Sequence, residues 1–400
     1  MRSYLIVLFV GFFSLGVSIP AMALIITSKG YSLQELGIAM LCFSVSVMVL
    51  EVPSGLFCDA KGRRTGYLVG MLFTLAGTLF LFSRMLILLC VGFACNGIGR
   101  AFSSGSLDAL LIDSHMQEKR PLEEVMMALE ITTSLALALG SFLGGFLLSL
   151  GQQGVSLTDY LLMVRIGLLS LCIVLVIFLI PNDSAGLGQK SNTVSAQVRQ
   201  FLSAVKGNRF MQVYVLFSLL QGGMLFSLES YWQPFLQQLL RSDSHIWILG
   251  FVGGSVFAVS IVGSLLGKAL MRLGKSSTIF LFAILCAFSL EAVFLLVKTP
   301  LQFIFVYFGI YLVLGVVSVV GGVLHNQSMP SEVRSSALSI NSFALQGGGM
   351  LSNLLAIAVL TFFPVPVFWA VIAALGCTVV LSISKVVLQA APSTRLQQSP

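Results

Sequence analysis

Long apolar runs alternate with short polar stretches from one end of the chain to the other. Runs of spanning length fall at about 4–26, 34–57, 65–83, 86–111, 122–150 and 160–181, and again at about 210–239, 247–270, 277–297, 301–325, 335–362 and 365–388. About 20 apolar residues in a helix cross the hydrocarbon core of a bilayer. The pattern therefore predicts an all-α membrane protein with twelve transmembrane helices. They group six and six around the polar stretch 182–209. This gives an N-terminal six-helix bundle (1–181), a linker (182–209), a C-terminal six-helix bundle (210–388) and a tail (389–400). Within the linker Val194, Val198, Phe201, Leu202 and Val205 recur at helical spacing, with Arg199 and Lys206 off the stripe. That is the pattern of an amphipathic helix lying on a membrane or against a partner. The first run carries Ala21-Met22-Ala23, which has the form of a cleavage site, but it stays apolar through Ile26 and is kept as the first helix.

Composition agrees. Hydrophobic residues make up 57%, charged residues 9%, and mean hydropathy is +1.00, whereas soluble chains carry about a quarter charged residues. The net charge of +7 follows topology and not a binding stripe. Arg2, Lys61, Arg63, Arg64, Lys119, Arg120, the linker's Lys190, Arg199 and Lys206, Arg209, Lys268, Arg272, Lys275, Arg334, Lys385 and Arg395 share one predicted face, against Lys29, Arg84, Arg241 and Lys298 on the other. Basic residues stay on the cytoplasmic side, so both termini are expected in the cytoplasm and the protein in the cell (inner) membrane. With no basic stripe interleaved with aromatics, nucleic acid is not an expected partner.

The seven cysteines lie scattered in apolar runs without a CxxC pair and read as small core residues. No HExxH, no GxxxxGKS and no serine or cysteine paired with a histidine at depth occurs, so no enzyme, metal or cofactor is expected. His115, His245 and His325 read as structural residues.

The stretch Leu50 to Gly70 contains GxxxDxxGRR, formed by Gly55, Asp59, Gly62, Arg63 and Arg64, between the second and third runs. A degenerate copy, Gly267, Met271, Arg272, Gly274 and Lys275, follows the eighth run. The motif resembles the loop signature of the major facilitator superfamily of secondary transporters. The resemblance implies two pseudo-symmetric six-helix bundles with substrate bound between them. It assigns Asp59 and Arg63 to a charged latch, with Asp113 as a third member. Gly62 then supplies the tight turn and Gly55 a close helix approach, while Arg64 attracts anionic lipid.

Charges inside the runs mark candidate chemistry, because a charge at membrane depth faces a partner or a water-filled space. Arg100 in the fourth run lies about 11 residues, hence about 16 Å, from the end near Leu111. Glu130 in the fifth run is its best partner and Glu51 in the second the next. The superfamily's drug:proton antiporters carry a pattern resembling RxxQGxG there. Here Asn96-Gly97-Ile98-Gly99 matches its end and Phe93 holds the arginine position, which makes Arg100 a displaced equivalent. Their fifth helix resembles GPxxGG, and this chain has Gly140, Gly144 and Gly145 with Ser141 in place of proline.

Glu229 precedes Tyr231, Trp232 and Pro234, an acid flanked by aromatics that suits a cationic, partly apolar substrate or an outer gate. Asp108 sits near the inner end of the fourth run, Arg165 reads as snorkelling near Asp159, and Glu291 lies on a run that the family keeps outside the central cavity. The expected function is secondary active transport by alternating access, exporting small amphipathic organic molecules in exchange for protons. Substrate and proton would compete for one site. A monomer surrounded by lipid is expected. The alternatives are a proton-coupled uptake permease and, from another class, a transporter-like receptor.

Overall fold

A computed structural model describes residues 2–104, 106–117, 122–150, 158–182, 209–241, 245–328 and 334–390. The amphipathic helix expected in the linker lies outside these residues, as does the tail beyond its first two positions. Among the described residues the secondary structure is helical without a strand. The long helices are α1 (Arg2–Ser18), α2 (Leu33–Lys61), α3 (Arg63–Phe80), α4 (Leu86–Ser103), α5 (Ser106–Gln117), α6 (Leu122–Leu150) and α7 (Asp159–Leu179). They continue with α8 (Arg209–Leu240), α9 (Trp247–Leu270), α10 (Ser276–Val293), α11 (Pro300–Ser328), α12 (Arg334–Val359) and α13 (Val365–Ala390).

Eleven stretches among the described residues are long and apolar enough to cross a membrane. The other expected span is present as α3, but it has 18 residues and opens on Arg63 and Arg64, so its composition is less apolar. The expected fourth span is two segments, α4 and α5. The sequence where one gives way to the other, Ser103-Ser104-Gly105-Ser106, is poor in helix formers, yet it does not lower the hydropathy enough to show as a gap.

Large apolar side chains such as Phe178, Phe282 and Phe305 are mostly exposed. A soluble fold would bury them, whereas a bilayer solvates them, and helices satisfy their own backbone polar groups there. Local chemistry caps the start of α2. Ser32 Oγ accepts from the Glu35 N–H at 3.3 Å, while the Ser32 N–H donates to Glu35 Oε2 at 2.7 Å, a reciprocal pair.

The chain forms two compact units, Met1–Val194 with Trp232–Phe257, and Ser195–Tyr231 with Ala258–Pro400. In the first, α1 packs on α6 and α7, and α4 packs on α2 and α3, around a core that includes Val7, Tyr67, Leu111, Leu129, Leu169 and Cys172. This unit also takes in the last part of α8 and the first part of α9, which differs from a division at the linker. Two contacts explain it. Gln233 Nε2 of α8 donates to the Ile19 carbonyl at 2.9 Å, and Ser141 Oγ of α6 donates to the Gly250 carbonyl of α9 at 3.1 Å. In the second unit α10 packs on α11 and α13, and Trp369, Phe294 and Phe303 are fully enclosed.

Candidate functional site

Helix α2 ends at Asp59, Ala60 and Lys61, and α3 begins at Arg63, so Gly62 alone makes the turn. Its φ of 95° and ψ of 143° lie in a region that side chains disfavour, and its N–H still closes α2 onto the Cys58 carbonyl at 2.9 Å. The motif's second glycine is therefore explained by backbone geometry. Gly55 is different: among the described residues a Cβ built there meets nothing within 4 Å, so no close helix approach is seen there. Asp59 is exposed and Arg63 half-buried. The side chain of Asp113 lies outside the described residues. Arg64, expected to face lipid headgroups, instead donates from Nη2 to the Ile177 carbonyl at 2.8 Å and from Nε to the Val176 carbonyl at 3.4 Å. It caps the C-terminal end of α7, where free carbonyls favour a cation.

Arg100 stands in the last turn of α4, three residues before that helix ends, and is exposed. Among the described residues no hydrogen bond or ion pair joins it to Glu130, which is also exposed on α6. Glu51 is half-buried on α2, where the neighbouring Ser54 hydroxyl donates to the Ala101 carbonyl of α4 at 3.0 Å. Between α4 and α5, Arg100 and Asp108 act on one another electrostatically.

Among the described residues of this unit Arg165 is a buried charge, 2% exposed, and so does not snorkel. Its Nη2 donates to Asn96 Oδ1 at 2.8 Å, and its Nε and Nη1 have no partner among the described residues. Asn96 was legible only as part of a glycine pattern; its role as the arginine's acceptor was missed.

The glycines of α6 divide their work. Added Cβ atoms at Gly140 and Gly144 would come within 2.4 Å of the Phe13 carbonyl oxygen and 2.2 Å of the Val17 carbonyl oxygen, both on α1. One at Gly145 would lie 2.5 Å from Gly250 Cα on α9. Ser141, where the antiporter pattern has proline, donates the hydroxyl bond to Gly250 described above. Beside this contact, Phe142, Phe146, Ser149, Trp247 and Phe251 line an aromatic cavity of about 360 Å³.

In the second unit Glu229 is exposed on α8 and receives a hydrogen bond from the Tyr311 phenol of α11. Tyr307 OH donates to Tyr311 OH at 3.5 Å, with ring centroids 5.0 Å apart, and Phe303 stacks on Tyr307 at 5.3 Å. The aromatics expected to flank this acid do not. Tyr231 is 0% and Trp232 2% exposed, and Tyr231 packs edge-on against Phe368 at 5.5 Å. Two residues along a helix turn about 200°, which carries Tyr231 away from the face of Glu229. Tyr307 and Tyr311 were missed. Their signal is a pair of phenols at i and i+4 in an otherwise apolar run.

Outside the spans, Lys29 Nζ donates to the Leu81 carbonyl and, at 2.8 Å, to the Ser83 carbonyl. Burial holds its ammonium below the usual lysine range, Asp159 opposes that shift, and Arg84 adds to it. Tyr31 OH donates to the Arg84 carbonyl at 2.7 Å, so two loops are clasped together.

A family model, the Major Facilitator Superfamily, matches residues 4–353. Multidrug resistance protein 1 of Bacillus subtilis (strain 168) is 26% identical over 141 residues, 35% of this chain and 36% of that protein. The uncharacterized MFS-type transporter YxaM of the same organism is 22% identical over 244 residues, 60% of each. The chain thus spans about a third and about three-fifths of these two relatives. Among solved structures, a point mutant of the nucleoside transporter NupG superposes with a TM-score of 0.80 at 12% identity, covering 97% of this chain and 99% of that one. The xylose transporter XylE from E. coli, in an inward-open conformation, gives 0.69 at 13% identity with 99% and 97% covered. A point mutant of the peptide transporter POT gives 0.70 at 12% identity with 97% and 95% covered. The all-α, two-bundle fold expected from the sequence is the fold these structures share with the chain.

Proposed function

Because the chain belongs to the major facilitator superfamily and is a membrane transporter, we propose that it exports small amphipathic organic molecules in exchange for protons. The observation that carries this reading is the exposed carboxylate of Glu229 held by Tyr311. A carboxylate oriented by a phenol on an exposed helix face can take either a proton or a cationic group of the substrate. Competition for that carboxylate is the physical basis of exchange. The partial likeness to a multidrug resistance protein supports export over uptake.

In this reading Asp59, Arg63 and Asp113 latch the cytoplasmic ends of the helices, Gly62 sets the turn, and both termini face the cytoplasm. Arg100, Glu51 and Glu130 then line the path of the first bundle. The protein works as a monomer in the cell membrane, surrounded by lipid. Uptake coupled to protons is the second reading. Solved structures of similar fold include a D-xylose-proton symporter, at a TM-score of 0.70 and 14% identity, and Ser141 stands where exporters of this pattern keep proline.

Everted membrane vesicles with an acidic lumen test the proposal. A pH-gradient dye reports while cationic, neutral and anionic compounds are added outside. Dye recovery with cationic amphipathic compounds, lost in Asp59→Asn, is the expected result. No recovery across the panel, with the protein shown to be present, overturns the export reading.

A further inference from the structure

Helix α10 carries a carboxyl, Glu291, that the transport reading leaves unused. It is fully enclosed, at 0% exposure. Phe288 and Phe294 lie one turn to either side of it, and Trp369 of α13 packs on Phe294 with centroids 4.5 Å apart. Its hydrogen-bond partner is Ser227 of α8. Ser227 Oγ lies 2.7 Å from Glu291 Oε1 and also 2.7 Å from the Met224 carbonyl oxygen. Glu291 Oε2 has no partner among the described residues.

Counting hydrogens assigns the state of this group. A serine hydroxyl owns one hydrogen, while a backbone carbonyl and an ionised carboxylate only accept. Both contacts sit at hydrogen-bond length. One serine hydrogen cannot fully serve two acceptors, whereas a protonated carboxyl would bring a second, leaving serine to donate to the Met224 carbonyl and to accept from Glu291. The surroundings agree: the carboxyl is fully enclosed, and among the described residues no cation bonds to it.

The titratable side chains on the elements packed around this region are Glu229 and Tyr231 of α8, Tyr307 and Tyr311 of α11, and Cys377 of α13. Among the described residues none of these bonds to Glu291, and Glu229 is engaged by Tyr311.

We propose that Glu291 is a proton-binding site separate from Glu229, and that its proton ties α8 to α10 at the stretch where α8 leaves the second compact unit. The Trp369 indole N–H donates to the Ser227 carbonyl at 3.0 Å, so α13 holds the same residue. Once the proton leaves, Ser227 cannot satisfy both Met224 and Glu291, and the carboxylate remains charged and enclosed. Helix α8 must then move away from α10 or water must enter. The site binds a proton whichever solute the protein carries, so it stands apart from the assignment of Glu229.

Infrared difference spectroscopy on the purified full-length protein reads this site directly. A protonated-carboxyl C=O band is expected at neutral pH in the parent and in Glu229→Gln, and is lost in Glu291→Gln, whose amide keeps the neutral hydrogen bond. In Ser227→Ala the band should move to higher frequency, because the carboxyl has lost its acceptor. A band that persists in Glu291→Gln, or that does not move in Ser227→Ala, overturns the proposal.

Discussion

Gly62 and Gly55 belong to one motif but answer to different physics. At Gly62 any side chain meets a backbone conformation, φ 95°, that costs about 1–3 kcal/mol for a non-glycine residue. Gly62→Ala should lower the melting temperature of the purified protein, whereas Gly55→Ala, with open space around its new methyl, should leave it nearly unchanged. Equal losses from both would contradict the hinge assignment. Arg165 makes a second residue-scale case. Its hydrogen bond from a buried guanidinium to Asn96 is worth about 1.5–3 kcal/mol. Asn96→Ala should destabilise by that amount in denaturant titrations, and a neutral effect would mean that Arg165 is satisfied otherwise. The sequence showed that Arg165 was charged and within a span; which way it pointed depended on how α7 packs against α4, and hydropathy carries no record of that.

At the scale of helices, the starts and ends were legible wherever local chemistry writes them. Ser32 with Glu35 caps α2, and Ser32→Ala should cost about 1 kcal/mol by thermal unfolding. The division between α4 and α5 was not legible, because serine and glycine weaken a helix without making a run polar. Pairings across helices were legible only in part. The glycines of α6 announced a close approach, but nothing in their spacing said that Gly140 and Gly144 face α1 while Gly145 faces α9. Gly250→Val should force these helices apart, because a Cβ already lies 2.5 Å from Gly145 Cα. The expected outcome is loss of transport together with faster cysteine labelling near Trp247. Parent-like transport and labelling would contradict the packing described for this contact.

For the whole molecule, apolar runs and the doubled loop motif were enough to anticipate a two-bundle transporter, since a bilayer enforces helix length and charge placement on every span. The site was less legible. Glu229 was visible as a charge in an apolar run, but its partner Tyr311 lies on a helix far along the chain, and the adjacent aromatics Tyr231 and Trp232 belong to the core.

The most direct measurement compares the parent and Glu229→Gln in proteoliposomes, using a compound that restores the dye signal in vesicles. Substrate exchange without a gradient and accumulation driven by a pH gradient are followed side by side. The account predicts that Glu229→Gln loses at least about tenfold of the gradient-driven accumulation, corresponding to about 1.4 kcal/mol of coupling, and needs more compound to sustain exchange, because the carboxylate that takes its cationic group is gone. Full gradient-driven accumulation in Glu229→Gln would contradict it.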